Sequence, residues 1–156
     1  MSQFYTPPST ALTFRNGMWT ADETEEVSYP EEGNEKCFAV EDTSWWFRHR
    51  NSVLVEVLEQ FPPPGLIYDV GAGNGFQTLA FEAAGFPAVA VEPGSGARNA
   101  YRRGARRVIH ATLDRADSRR SSLPAVGLFD VLEQIEDDTG FLQKIHDCLS
   151  PGGRLY

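Results

Sequence analysis

Cysteine and histidine are scarce in this sequence. Its 156 residues include two cysteines, Cys37 and Cys148, and three histidines. The cysteines lie far apart and outside any C-x-x-C pair, which argues against a disulfide framework and favours two thiols in a reducing compartment, the cytoplasm. The histidines show no metal-ligand spacing, so no metal site is predicted.

Long apolar runs and an excess of basic residues are also lacking. No apolar stretch is long enough to span a bilayer, and residues 1–16 do not have the basic-then-apolar order of a signal peptide. The formal net charge of −8 disfavours non-specific attachment to nucleic acid or anionic lipid. We therefore expect one globular domain without nucleic-acid or membrane partners.

The first forty-odd residues differ in composition from the rest. Between Asp22 and Asp42 there are nine acidic residues and one lysine, interrupted by Pro30 and Gly33. This composition predicts an acidic N-terminal arm over residues 1–43, partly ordered and with little core of its own; a dedicated binding element is the alternative. The folded domain is predicted over residues 44–156.

Beyond the arm, segments with strand spacing alternate with segments of helical spacing. Ser44 is a candidate N-cap for a helix that ends at the proline run 62–64. Strands are predicted at 66–70, 88–91, 107–110, 125–131 and 154–156, and helices at 76–84, 96–103 and 139–149. This alternation predicts an α/β fold with a doubly wound, mostly parallel sheet and helices on both faces.

The strongest motif is the glycine-rich loop from Asp69 to Gly75, between a predicted strand and a predicted helix. Glycine lets the backbone turn tightly and lets a ligand approach the main chain. Glu92 directly follows the next strand, where a carboxylate can accept both hydroxyls of a ribose. Loop and acid together indicate an adenosine-containing cofactor; the alternative is a tight turn without a ligand.

Two residues distinguish between the possible cofactors. A dinucleotide fingerprint requires a small residue at position 76, whereas this chain has Phe76 and its third glycine is Gly75. Asp69 would repel a pyrophosphate but attract a cationic amino acid. The motif therefore favours S-adenosylmethionine, which carries a sulfonium and an ammonium and no phosphate, over a nicotinamide dinucleotide.

With these motifs, residues from Trp45 to Tyr156 resemble the class I S-adenosylmethionine-dependent methyltransferases, and more narrowly the group labelled methyltransferase type 11. The glycine-rich loop resembles that family's first motif, Phe129–Ile135 its fourth, and Leu149–Leu155 its L-x-P-G-G-x-L passage. The resemblance implies a seven-stranded Rossmann-like fold. It also implies methyl transfer to a small molecule, lipid precursor or glycan. Because strand five begins near the end of the chain, strands six and seven are expected to be missing.

The resemblance further implies roles for individual residues. The cofactor-binding set would be Asp69, Gly71, Ala72, Gly73, Gly75, Glu92, Pro93, Thr112, Leu113, Asp130 and Val131. Asp69, Gly71 and Gly73 would hold the methionine part and Glu92 the ribose. The adenine would lie beside residues 93, 112 and 113. Asp130 and Val131 would lie beneath the sulfonium. Gln134 stands where relatives often carry histidine, so a base at that position is lost.

Two candidate bases remain, His49 and Glu133. The alternatives are a surface histidine and an acid that favours a helix start. Trp45 and Trp46 are interpreted as core residues or as part of a closing lid, since both would bury apolar area.

Two surface features and one alternative function complete the expectations. The outer backbone groups of strand five would be unpaired, which predicts a homodimer through this edge or a frayed C-terminus. Eight arginines between residues 98 and 120 are interpreted as solvated surface in preference to an RNA contact. A non-catalytic cofactor-binding remnant that acts as an interaction module is the alternative function.

Overall fold

A computed structural model of the chain describes residues 5–22, 31–116 and 119–156. Its strands are β1 Leu12–Arg15, β2 Met18–Ala21, β3 Ile67–Val70, β4 Ala88–Val91, β5 Val108–His110, β6 Leu123–Leu128 and β7 Leu149–Leu155. Its helices are α1 Glu31–Val40, α2 Trp45–Gln60, α3 Phe76–Ala83, α4 Gly96–Arg103, α5 Leu113–Ala116 and α6 Asp138–Cys148, with a 3-10 turn at Leu132–Gln134. The predicted alternation of strands and helices is confirmed.

The strands form one sheet in the order β1-β2-β5-β4-β3-β6-β7. All neighbours from β2 to β7 are parallel, and β1 is antiparallel to β2. From β3 the chain moves outward through β4 and β5, then returns to place β6 on the other side of β3. Crevices form at such a reversal, outside the carboxyl ends of the strands. The doubly wound, mostly parallel sheet is thus confirmed.

The expectation that two strands of the seven are missing is wrong, because this sheet has seven strands. An N-terminal hairpin supplies β1 and β2 and lies beside β5, at the edge opposite β7. Its turn is Asn16-Gly17, and both residues have left-handed backbone angles, with φ of 52° and 83°. Asn-Gly between two short strands is a strong hairpin signal that our sequence analysis did not use.

The helix and strand bounds differ from prediction mainly near the C-terminus. Strand β7 begins at Leu149, so the Pro-Gly-Gly segment that we expected to form a loop lies within the strand. Leu123 pairs with Leu149 but Ala125 pairs with Arg154, which leaves a bulge between them. Gly152, with φ of 78°, lies in this bulge, where glycine accepts the left-handed conformation without strain. Ser44 does occupy the N-cap of α2, but its side chain makes no capping hydrogen bond.

The central strands are buried on both faces. Every residue of β3 and β4 is buried. Ile67 packs with Leu58 and Phe81 on one face, whereas Tyr68 packs with Ile145 of α6 on the other. Apolar runs of this kind are typical of parallel strands covered by helices on two sides. The core therefore holds the carboxyl ends of β3 and β4 in fixed positions.

The N-terminal arm is partly integrated into the domain. Met18 packs with Ala97 and Ala100 of α4, and α1 also lies against α4. Residues 23–30, the middle of the acidic stretch, lie outside the described residues. The boundary between residues 43 and 44 stays a prediction.

Strand β7 is the outer strand at one edge, and Leu155 in it is exposed. The predicted homodimer through this edge stays a prediction, which light scattering at increasing protein concentration would test. No helix among the described residues has the length and apolar character needed to cross a membrane.

Candidate functional site

A cavity of about 470 Å³ opens at the carboxyl ends of the central strands. Its floor consists of loop residues that follow four strands: Gly71–Asn74, Glu92 and Pro93, Ala111–Leu113, and Phe129–Val131. Asn34, Phe47 and Phe141, from helical segments, complete the lining. The cavity lies at the reversal point of the sheet and is within the size range of small-molecule sites. A wider groove of about 910 Å³ between α2 and α3 contains no strand-end residue.

The glycine-rich loop owes its path to glycine. Gly71 has φ of 71°, and a Cβ there would lie 2.5 Å from Cγ2 of Val131. Gly75 has φ of 74° and caps the start of α3, where a Cβ would lie 2.6 Å from that of Ala100. Gly71 therefore lets the main chain border the cavity, whereas Gly75 lets α3 pack against α4 and does not line the cavity.

Replacing Gly71 by alanine will destabilise the protein and narrow the cavity. The new methyl group would collide with Val131, and residue 71 would be held in a left-handed backbone conformation that alanine disfavours. We expect the free energy of unfolding to fall by about 2 kcal/mol, measured by urea denaturation. Gly85→Ala is the matched control for backbone strain alone, because its φ is 92° and a Cβ there would contact nothing within 4 Å. Equal losses in the two variants would contradict a role for the Val131 contact.

Glu92 links two loops at the floor of the cavity. Only 6% of Glu92 is exposed. Its Oε2 accepts a hydrogen bond from the Gly73 N–H at 2.8 Å, and its Oε1 accepts one from the Gly94 N–H at 2.7 Å. Burial raises the pKa of Glu92, and the two backbone hydrogen bonds partly offset that rise. Each carboxylate oxygen still has acceptor capacity for a ligand.

Asp69 lies behind the cavity wall. Its carboxylate is fully buried and accepts hydrogen bonds from Gln77 Nε2 at 2.8 Å and from the Thr78 hydroxyl. Burial raises its pKa to about 6 although both hydrogen bonds favour the charged form. Gln77, which Asp69 orients, is the residue that lines the cavity. Direct contact between Asp69 and a ligand therefore stays a prediction.

Arg50 of α2 is a cavity residue that our sequence analysis missed. Its guanidinium donates to Oε1 of Gln77 at 2.6 Å and pairs with Oδ2 of Asp130 at 2.6 Å. Its side chain is only 14% exposed. A signal was available, since residue 50 lies three after Phe47 and four before Leu54, where helical spacing directs a side chain inward.

Asp130 follows β6 and faces Arg50 across the cavity mouth. Its φ is 60°, a left-handed conformation that few residues other than glycine adopt. Such conformations occur often at functional sites. These contacts thus form one connected polar chain along the cavity wall, which runs through Asp69, Gln77, Arg50 and Asp130.

The predicted bases do not reach the cavity. His49 is exposed and stacks on Trp45, with ring centroids 5.2 Å apart. Glu133 is exposed in the 3-10 turn, and Gln134 beside it lines the cavity. The roles of His49 and Glu133 as bases stay predictions. Trp45 and Trp46 are 68% and 58% exposed and do not belong to the core.

The loop after β5 borders the cavity with one polar group. The hydroxyl oxygen of Thr112 is buried and has no hydrogen-bond partner among the described residues. Leu113 and Pro93 flank the same region. Buried polar atoms are normally satisfied, so an unpaired hydroxyl beside a cavity indicates a ligand or water partner.

Together the fold and the cavity have the arrangement of α/β domains with a crevice at the reversal point of the sheet, the place where such folds bind ligands. The parallel sheet presents the glycine-rich loop after β3, the buried carboxylate of Glu92 after β4, and residues 111–113 after β5. Comparison with known proteins then identifies the family. Residues 46–156 match the methyltransferase domain family, and the chain belongs to that family. No relative was found among curated proteins.

Three solved structures illustrate the likeness in fold. An S-adenosylmethionine-dependent methyltransferase from Bacteroides fragilis, in complex with S-adenosylhomocysteine, is 21% identical over 64% of this chain and 44% of its own, with a TM-score of 0.50. A candidate S-adenosylmethionine-dependent methyltransferase from Methanococcus maripaludis is 15% identical over 86% and 65%, with a TM-score of 0.65.

The third structure is CalS10 from Micromonospora echinaspora, an amino pentose methyltransferase with S-adenosylmethionine bound. It is 20% identical over 85% of this chain and 57% of its own, with a TM-score of 0.59. The chain thus spans less than two thirds of each of these proteins. At these identities the likeness shows the fold, and it agrees with the Rossmann-like architecture predicted from the motifs.

Proposed function

We propose that the protein binds S-adenosylmethionine in this cavity and transfers its methyl group to a small-molecule acceptor. The observation that carries the proposal is Glu92, a buried carboxylate at the end of β4 whose oxygens are oriented by two backbone N–H groups. A carboxylate in this position can accept both ribose hydroxyls. Membership in the methyltransferase domain family supports the same reading.

The nucleoside half of the cofactor fits the floor of the cavity. Glu92 would hold the ribose, and Ala72 and Gly73 would border it with main chain. The unpaired hydroxyl of Thr112 would bond to the adenine edge, between Pro93 and Leu113. This arrangement would satisfy the buried oxygen of Thr112, which no described residue does.

The amino-acid half fits the polar chain along the wall. The Arg50 guanidinium would pair with the carboxylate of the cofactor, because arginine binds carboxylates in a planar, two-donor geometry. Asp130, and Asp69 acting through Gln77, would attract the ammonium and sulfonium charges. Val131 would lie against the sulfonium, as the resemblance implies.

The bound cofactor supplies an activated methyl group on a sulfonium leaving group. The residues of this chain therefore need mainly to align the acceptor and to exclude water. Phe47, Phe129 and Phe141 line the cavity with apolar rings that exclude water from it. We further propose that the acceptor is a small molecule, lipid precursor or glycan and that the protein acts in the cytoplasm. The amino pentose specificity of CalS10 supports a small-molecule acceptor.

Calorimetry followed by an activity assay tests this proposal. Titration with S-adenosylhomocysteine should give one site per chain, whereas NADH should give no heat of binding. Transfer of a labelled methyl group to a panel of amine and hydroxyl acceptors should follow. The absence of any affinity for S-adenosylmethionine or S-adenosylhomocysteine would overturn the proposal.

A second candidate is a cofactor-binding module without activity. The observation that favours it is that neither predicted base, His49 or Glu133, lines the cavity. Cofactor binding without methyl transfer to any acceptor would support this candidate over the enzyme.

A further inference from the structure

Helix α1 forms one wall of the cavity, although it belongs to the acidic arm. The cavity lining includes Asn34, Cys37 and Glu41, from α1 and the residue that follows it, next to the glycine-rich loop. Helix α1 has ten residues. Isolated helices shorter than about 12 residues are marginal in water, so α1 must depend on contacts with the domain.

Asn74 of the glycine-rich loop makes the first of these contacts. It is 2% exposed. Its Nδ2 donates to the Asn34 carbonyl at 2.8 Å and to Oε1 of Glu41 at 3.3 Å. Its Oδ1 accepts from Nδ2 of Asn99 on α4 at 2.9 Å. One side chain of the glycine-rich loop thus joins the first turn of α1 and the residue after its end to the domain.

Arg103 of α4 makes the second contact. Its side chain is 8% exposed and pairs with Oε2 of Glu41 at 2.9 Å and with Oδ1 of Asp42 at 3.0 Å. It also donates to the Phe38 carbonyl at 3.0 Å, and its guanidinium lies 4.4 Å from the centroid of the Phe38 ring. A buried arginine with this many partners holds a segment more firmly than an exposed ion pair does.

We propose that α1 is a latch over the cofactor cavity and that Asn74 and Arg103 are positioning residues that keep it closed. The latch is residues 31–42. This inference rests on the proposed function, because it assumes that S-adenosylmethionine or S-adenosylhomocysteine occupies the cavity. A ligand there touches both the glycine-rich loop and the latch, so it binds the closed state more tightly than the open one.

The affinity for the cofactor must then depend on how often the latch is closed. The apparent dissociation constant equals the intrinsic one divided by the closed fraction. Removing the charge of Arg103 breaks the pairs with Glu41 and Asp42 and leaves the buried Glu41 carboxylate without its cation. We expect Arg103→Gln to bind S-adenosylhomocysteine about tenfold more weakly than the wild-type chain.

Hydrogen exchange and calorimetry on the full chain test the latch together. In the wild-type chain, S-adenosylhomocysteine should slow exchange of the α1 amides. In Arg103→Gln without ligand, these amides should exchange about tenfold faster while the amides of β3 and β4 exchange as in the wild-type chain. The matched control is Arg102→Gln, which makes the same charge change at an exposed neighbour on α4 and should leave both affinity and exchange unaltered.

The possible failures are distinguishable. If the wild-type chain does not bind S-adenosylhomocysteine, the proposed function fails and the latch fails with it. If it binds but exchange of the α1 amides stays the same, or if Arg103→Gln loosens α1 without weakening binding, the latch alone is overturned. Should Arg103→Gln not fold, as exchange of β3 and β4 would reveal, Asp42→Asn removes a partner of Arg103 that does not line the cavity and should give changes in the same direction but smaller, because this pair is exposed on one side.

Discussion

Glu92→Gln will weaken the binding of S-adenosylhomocysteine by at least two orders of magnitude. Under the proposed function, the variant loses two charge-assisted hydrogen bonds to the ribose, and such bonds contribute about 1.5 kcal/mol or more each. The glutamine amide would also direct a donor toward the N–H of Gly73 or Gly94, since both carboxylate oxygens now accept from these groups. A loss of about 3 kcal/mol corresponds to roughly a 150-fold change in the dissociation constant, measured by calorimetry at fixed salt.

Glu59→Gln is the matched control for this variant. Glu59 is an exposed glutamate of α2, and its substitution makes the same change in charge without touching the cavity at the strand ends. Its affinity for S-adenosylhomocysteine should stay within about twofold of the wild-type value, as expected for surface substitutions. A Glu92→Gln variant that folds and binds within that same range would show that Glu92 does not hold the ribose.

Asp69→Asn will make the protein more stable near neutral pH and will weaken its binding of S-adenosylmethionine. The folded-state pKa of Asp69 is about 6, against an ordinary value of 3.8, because the carboxyl is fully buried. Between these two values the folded state holds more protons than the unfolded state, so rising pH lowers the free energy of unfolding. The difference between the two pKa values corresponds to a loss of about 3 kcal/mol in the free energy of unfolding once the pH exceeds 6.

The gain in stability should therefore depend on pH in a defined direction. Urea denaturation should show the gain of Asp69→Asn in full above about pH 6, shrinking as the pH falls through the range between 6 and 3.8 and absent well below 3.8, where the wild-type carboxyl is neutral in both states. Asparagine can still accept from Gln77 and donate to the Thr78 hydroxyl, so the hydrogen bonds remain satisfied. Cofactor affinity should fall nonetheless, because the negative charge that favours the sulfonium and ammonium is gone.

Asp114→Asn controls for a general effect of removing a carboxylate. Asp114 is exposed and pairs with Lys144 at 2.8 Å on the surface. Exposed pairs contribute about 0–1 kcal/mol, so this variant should be no more stable than the wild-type chain at any pH. A gain equal to that of Asp69→Asn, or a gain of Asp69→Asn that does not change with pH, would contradict a buried, ionised Asp69. A trade of binding for stability is common at functional sites.

The sequence predicted the part of the site that depends on local rules. Apolar runs of strand length, closed by glycine and followed by helical spacing, indicated β3, β4 and the loop between Asp69 and Gly75. Glu92 was found because a residue that directly follows a parallel strand must lie at the carboxyl edge of the sheet. The hairpin of β1 and β2 was missed although its Asn-Gly turn was readable, because residues 1–43 were treated as one acidic arm, whereas the acidic stretch begins only at Asp22, after β2.

The amino-acid order was therefore sufficient for the α/β class, the glycine-rich loop and the carboxylate after β4, because each follows from periodicity and backbone geometry within one βα unit. The contacts that complete the site arise from packing between distant segments. Arg50 pairs with Asp130, and Gln77 hydrogen-bonds to Asp69. Asn74 and Arg103 both contact α1. All of these contacts require α1, α2 and α3 to be packed in the folded domain. Those positions depend on strand order and helix packing, which no local pattern encodes.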